Sequence, residues 1–184
     1  MSRPHSKAVL SSWRGLHMQH RYEDLVVIQG ILRRWKPAVG VELGTGAGGF
    51  ACFLADTFAE WGGRVVTVDI EDRCGTLPCE NLSKIVIDCL DYTRPEIVDL
   101  IAKPQSFLYC DNGNKRRELR LYAPCVGYGG LLGVHDYGTE VDPGTAEALL
   151  LSLGYDPCGH ADFERLAHPV DYPYSLTRMW RRSS

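Results

Sequence analysis

No stretch of this sequence approaches the ~20 consecutive apolar residues that a membrane-crossing helix needs, which excludes a helical membrane protein. The opening Met1-Ser2-Arg3-Pro4-His5-Ser6-Lys7 is basic, but the apolar core of a secretory leader is missing. Ala8-Val9-Leu10 is cut off by Ser11, Ser12 and Arg14. An excess of one charge is lacking too. Twenty Lys and Arg against 23 Asp and Glu leave a net charge of −3, so no global field draws the chain to nucleic acid or to an anionic membrane. The local basic cluster Arg178-Met179-Trp180-Arg181-Arg182 reads as a solvated chain end. Paired cysteine spacing is absent as well. The seven cysteines are odd in number and scattered, and Cys52, Cys89, Cys110 and Cys125 sit in apolar runs, as buried small hydrophobes do. Cys74 and Cys79 are too far apart for a metal knuckle and have no second pair. This usage points to a reducing cytoplasmic setting, with neither structural zinc nor a disulfide framework. There is no internal repeat and no low-complexity segment.

What is present is enough apolar material, 45% of 184 residues, to build one packed domain. Apolar residues recur at helical spacing over 22–35, where Leu25, Val26, Ile28, Ile31, Leu32 and Trp35 alternate with charged positions. Residues 1–37 are expected as a helical lead-in to a single domain spanning 1–184. Residues 38–43 then read as a buried strand, 44–49 as a glycine-rich turn, 50–61 as a helix and 64–69 as a second strand. The alternation continues with strands at 84–87, 106–110 and 131–135. Helices are expected at 95–102, 115–126 and 145–153, with two final strands at 163–166 and 175–180. Strands alternating with helices predict an α/β fold: a Rossmann-like, doubly wound, mostly parallel sheet with helices on both faces.

The central motif is Glu42-Leu43-Gly44-Thr45-Gly46-Ala47-Gly48-Gly49 between the first of these strands and its helix. Glycines there permit a tight turn and let a ligand reach the backbone; the helix beyond presents free N–H groups. A plain turn can share this composition, so the acidic partners matter. Glu42, at the strand end, would repel a pyrophosphate but suits a cationic ligand such as a methionine amine. Asp69 ends the second strand, where a carboxylate can accept hydrogen bonds from two ribose hydroxyls.

As a set, Glu42-x-Gly44-x-Gly46-x-Gly48 with Asp69 resembles the nucleotide-binding half of class I S-adenosylmethionine (SAM)-dependent methyltransferases, over about residues 38–154. The resemblance implies that Glu42, Gly44, Thr45, Gly46, Gly48, Asp69 and Ile70 hold SAM. It puts Asp88 and Cys89 near the adenine. Two further stretches are similar to the cephalosporin hydroxylase and sugar O-methyltransferase group. One is the lead-in Trp13-Arg14-Gly15, Gln19 and Glu23-Asp24-Leu25. The other is Asp111-Asn112-Gly113-Asn114-Lys115 followed by the run from Gly129 to Asp136. Lys115 departs from that pattern, standing where many relatives carry a histidine.

In a doubly wound sheet, ligands bind beyond the carboxyl ends of the strands, where Glu42, Asp69, Asp88, Asp111 and Asp136 all fall. Two readings stand for the last pair. Asp111 and Asp136 could share Mg²⁺, an oxygen-seeking cation that would make a bound hydroxyl more nucleophilic. Otherwise Asp111 contacts the SAM amine and Asp136 caps the next segment. Lys115 is either a desolvated general base or a solvent-facing lysine of the run Lys115-Arg116-Arg117. Catechol-type O-methyltransferases place a lysine near this position, one residue out of step. His135 could be a base, a ligand or a strand-end histidine, and His17 and His20 could cover the substrate or simply belong to a polar approach to the first helix. The expected function is SAM-dependent O-methylation of a small-molecule acceptor: a sugar, phenol or natural-product hydroxyl. The alternatives are a SAM-binding protein without catalysis and an NAD-dependent oxidoreductase, against which Glu42 argues. A nucleic-acid methyltransferase is disfavoured by the acidic balance. It is also disfavoured by Cys110-Asp111-Asn112-Gly113, which stands where an Asn/Asp-Pro-Pro-aromatic motif would be expected. The sequence leaves a homo-oligomer open.

Overall fold

A computed structural model describes residues 11–166 and 177–183 of the chain. A seven-stranded sheet runs through the middle in the order β5-β4-β3-β6-β7-β9-β8. Its strands are β3 (Val39–Leu43), β4 (Arg64–Asp69), β5 (Leu82–Val86), β6 (Ser106–Cys110), β7 (Leu131–Val134), β8 (Tyr155–Cys158) and β9 (Arg178–Arg182). The first five are parallel, and β9 is antiparallel to both β7 and β8. Strand order reverses between β3 and β6. From β3 the chain builds outward through β4 and β5, then crosses back to lay β6 on the other side. That reversal opens a crevice at the carboxyl ends of β3 and β6.

All five residues of β3 and of β6 are buried, as strands covered on both faces must be. Alternation along β6 divides the core. Leu108 and Cys110 join Val41, Leu43, Val66 and Val68 beneath α3 (Pro95–Ile101), α4 (Lys115–Tyr122) and α5 (Pro143–Ser152). Phe107 and Tyr109 face Leu25, Ile28, Leu32, Phe53 and Phe58 of α1 (Tyr22–Trp35) and α2 (Gly49–Ala59). Gly133 makes room for the Tyr109 ring, which a Cβ there would meet at 2.4 Å.

Three expectations are corrected. The lead-in is not helical throughout: β1 (Ser11–Trp13) and β2 (Leu16–Met18) form an antiparallel hairpin. Arg14 (φ 50°) and Gly15 (φ 79°) make its two-residue turn, and two successive positive φ values match the right-handed twist of a hairpin. Residues 163–166 form no strand but lie in the helix α6 (His160–Leu166). Gly159, at φ 70°, ends the unforeseen strand β8 and accepts from the Phe163 N–H, starting the helix. The basic C-terminal cluster is not solvated. Arg178, Met179 and Trp180 are buried in β9, an interior strand. Of the final strand expected at 175–180, residues 175 and 176 lie outside the described residues, as do residues 1–10 of the lead-in. All seven cysteines are free, and no described helix is long and apolar enough to cross a membrane.

Candidate active site

A cleft of about 460 Å³ lies at the β3–β6 reversal. Glu42, Gly44, Thr45 and Gly46 form one wall, Asp69 and Ile70 the second, and Asp111 with Lys115 the third. His17, Gln19 and His20 close it from the hairpin side. A larger hollow of about 720 Å³ lies between α1 and α6, but it has none of the strand-end carboxylates.

Local sequence explains the loop. Gly44 takes φ 99° and passes so near β6 that a Cβ would lie 2.5 Å from the Asp111 carbonyl oxygen. Gly46 (φ 52°) has open space where a side chain would be, so the backbone faces the cleft bare. Its N–H donates to Asp69 Oδ2 at 3.0 Å, which ties the loop to the end of β4. Gly48 serves packing instead. It leaves room for Leu77, which a Cβ would meet at 2.5 Å.

Glu42 is 1% exposed and accepts from the Thr67 hydroxyl, which is also within 2.6 Å of the Thr45 hydroxyl. Burial pushes its carboxyl well above the usual range. The Thr67 hydrogen bond opposes that, while Asp111 and Asp69 add to it. The site therefore has a buried acid poised for a cationic partner.

The opposite wall is a charged cluster. Lys115, the first residue of α4, is buried. Its Nζ lies 2.8 Å from Asp136 Oδ2, 3.0 Å from Glu140 Oε2 and 3.6 Å from Asp111 Oδ1. Burial alone would lower its pKa, but Asp111, Asp136 and Glu140 outweigh it and raise the value. The lysine is thus a held ammonium, a state with no lone pair for general-base work. His135 Nδ1 is 2.9 Å from Asp111 Oδ1, and its Nε2 has no hydrogen-bond partner among the described residues. Burial would lower this imidazole as well; Asp111 and then Asp136 reverse the effect and raise it.

His20, for which the sequence offers either a cover over the substrate or a place in a polar approach to the first helix, lines the cleft. It is 1% exposed, stacked on Phe50 of α2 at 3.9 Å, and its Nε2 lies 3.1 Å from the Tyr109 hydroxyl and 3.6 Å from Asp111 Oδ2. Burial, with His135 and Lys115 nearby, lowers its pKa well below the ordinary value, so it is neutral. One histidine in a polar lead-in gives no local signal of this. Only the folding of the hairpin onto α2 does.

Several expected residues do not form the cleft wall. Asp88 Oδ1 caps the Leu90 N–H at 2.7 Å, and Cys89 is buried with its Sγ 3.2 Å from Asn112 Nδ2. His135 and Asp136 stand behind Asp111 and Lys115. The carboxylates of Asp111 and Asp136 do come together, but through the ammonium between them.

A model of the rhamnosyl O-methyltransferase/CmcI family matches residues 7–102, more than half the chain. The chain belongs to that family. It is a class I SAM-dependent O-methyltransferase. Among solved structures, CmcI with Mg and SAM superposes with a TM-score of 0.73 at 20% identity, over 95% of this chain and 77% of CmcI. The O-methyltransferase TomG from Streptomyces achromogenes, in complex with SAM, gives 0.57 at 10% identity over 89% and 81%. MycE, in complex with Mg, SAH and mycinamycin VI, gives 0.52 at 20% identity, over 85% of this chain and 45% of MycE. At these identities the superpositions establish the fold. No curated protein matches the chain.

Proposed function

We propose that the chain methylates a hydroxyl of a small molecule within the cleft at the β3–β6 reversal. The observation that carries this is convergence. A bare glycine backbone, the ribose-type acceptor Asp69 and the buried acid Glu42 share one crevice with Asp111 and Lys115, and His135 backs Asp111 from behind. SAM lies along Gly44 and Gly46 in this reading. Its ribose hydroxyls donate to Asp69, its ammonium faces Glu42, and Ile70 covers the sugar side. Sugars and natural products are the favoured acceptor classes, since the matching family is named for a rhamnosyl O-methyltransferase and MycE was solved with mycinamycin VI.

Methyl transfer is a direct displacement. The acceptor oxygen forms a bond to the methyl carbon as the carbon–sulfur bond breaks, and that electron pair stays on sulfur, giving S-adenosylhomocysteine (SAH). The protein must align three atoms and take up the hydroxyl proton. Asp111 faces the cleft and His135 holds its other oxygen, so the two form a proton-accepting pair. Lys115 contributes positive charge beside the acceptor oxygen as its own charge develops.

Magnesium accompanies SAM in one CmcI structure, and a divalent cation is compatible with this fold. In this chain the carboxylates that would receive it, Asp111 and Asp136, are already bridged by Lys115. The Lys115 ammonium already neutralises these carboxylates, 2.8 Å from Asp136 Oδ2 and 3.6 Å from Asp111 Oδ1.

Calorimetric titration tests the reading. SAM and SAH should bind and NAD should not. The reading fails if neither SAM nor SAH binds at millimolar concentration.

A further inference from the structure

We propose that the Lys115 ammonium takes the place of a divalent cation in this chain, which makes its methyl-transfer site metal-independent. This rests on the cleft being the SAM site.

The argument is geometric. A hard cation between Asp111 and Asp136 would need oxygens at about 2.0–2.1 Å and room for its own waters. The position between those carboxylates holds Nζ of a side chain that is 6% exposed, 2.8 Å from Asp136 and 3.6 Å from Asp111. A third carboxylate, Glu140, completes the shell at 3.0 Å. Two of the three N–H donors of the ammonium are taken by Asp136 and Glu140, and Asp111 adds a third negative charge at ion-pair distance. The backbone is built to support this contact. Asp136 adopts φ 55°, an uncommon conformation for a residue other than glycine. Its carbonyl collects the N–H groups of Thr139, Glu140 and Val141, which places Glu140 beside its own carboxylate. Lys115 itself is fixed at the start of α4, where Asn114 caps the helix by accepting from the Arg117 N–H.

A neighbouring trio, His20, Asp111 and His135, also has ligand-type atoms within 4.8 Å of one another. It fails as a metal site on orientation. A metal lies in the plane of each imidazole that binds it, about 2.0–2.1 Å along the nitrogen lone pair. The His20 and His135 rings are stacked, with centroids 4.3 Å apart and planes within 24°. No point between stacked rings lies in both planes at bonding distance. The stack also sits beside the Lys115 charge, which would repel an arriving cation.

Mn²⁺ uptake, read from loss of the free-ion electron paramagnetic resonance signal, tests the proposal without an acceptor. The wild-type chain should leave millimolar Mn²⁺ free, and its SAH affinity should be the same in EDTA as in Mg²⁺. Lys115→Ala should open the site and bind one Mn²⁺ per chain, and adding Asp136→Asn should remove that uptake. Lys115→Met, with a chain of similar bulk, repeats the test should the smaller residue unfold the helix start. Uptake of one Mn²⁺ by wild type that Asp136→Asn abolishes would overturn the inference. So would the absence of uptake by a Lys115 variant that still binds SAH. Failure of the underlying reading looks different: wild type would bind neither SAM nor SAH, with or without metal.

Discussion

Two acidic residues, Glu42 and Asp69, line the glycine-loop side of the cleft. Asp69 uses one oxygen to hold the Gly46 N–H at 3.0 Å and is 6% exposed, so it shapes the loop as well as offering itself to a ribose. Losing a charge-assisted hydrogen bond costs about 1.5–3 kcal/mol. Asp69→Ala is therefore expected to weaken SAH by roughly ten- to a hundredfold in calorimetry, and unchanged affinity in a folded variant would remove Asp69 from the site. Glu42 gives a pH signature. Burial raises its carboxyl, which favours the protonated form in the free protein; an ammonium bound against Glu42, as proposed, would displace that proton. SAM affinity should therefore rise with pH through the titration of Glu42. Calorimetry in buffers of different ionisation enthalpy should report proton release on binding. Glu42→Gln should abolish that release; if it persists in the variant, the proton comes from another group.

At the level of elements, the hairpin β1–β2 is the piece that finishes the site. It is clamped to α2 by Asp56, which accepts from Trp13 Nε1 at 2.8 Å and from Arg14 Nε at 2.9 Å. It sits so close to the start of α2 that a Cβ on Gly49 would fall 2.5 Å from the His17 carbonyl oxygen and 2.6 Å from that of Leu16. Both obstacles are backbone, so neither can swing aside. Gly49→Ala should cost about 1–3 kcal/mol, the usual range for overpacking. That corresponds to a thermal midpoint lowered by on the order of 5 °C. SAH binding should weaken too, because the hairpin leads directly into His20. A variant with wild-type melting would show that the hairpin is not held against α2. The same element shows why its helical reading failed. Two three-residue strands are too short to establish a period, and the Arg14-Gly15 turn carries the only local mark of reversal.

At the scale of the molecule, the strand-end wall contains an acid that couples stability to pH. Glu118 of α4 is buried and accepts from the Asn112 and Asn114 N–H groups at 3.2 and 3.3 Å. Burial raises its carboxyl from 4.5 to about 8, against the opposing effect of those N–H groups and of Lys115. A folded-state value above the unfolded one means that the folded chain binds the extra proton. This share of stability is full below about pH 4.5 and is lost as pH rises through about 8. Glu118→Gln should therefore raise the melting midpoint relative to wild type more at pH 9 than at pH 5; an equal shift at both would show that Glu118 does not titrate there. By itself the sequence determined the alternation of strands and helices, the glycine loop, and the line of acids at strand ends. Each of these is a local matter of period, turn chemistry and position along one strand. Glu42, Gly46, Asp69 and Asp111 were legible for that reason. What tertiary structure decided was how side chains from distant segments combine. Lys115, 21 residues from Asp136, is an ammonium because Asp111 and the turn that carries Asp136 and Glu140 bring three carboxylates around it. His20, 89 residues from Tyr109, is a neutral cleft residue because a hairpin folds onto α2. The basic tail became the interior strand β9 through pairing with β7 and β8. Protonation state and burial depend on distances between segments, and those distances exist only once the sheet has been assembled.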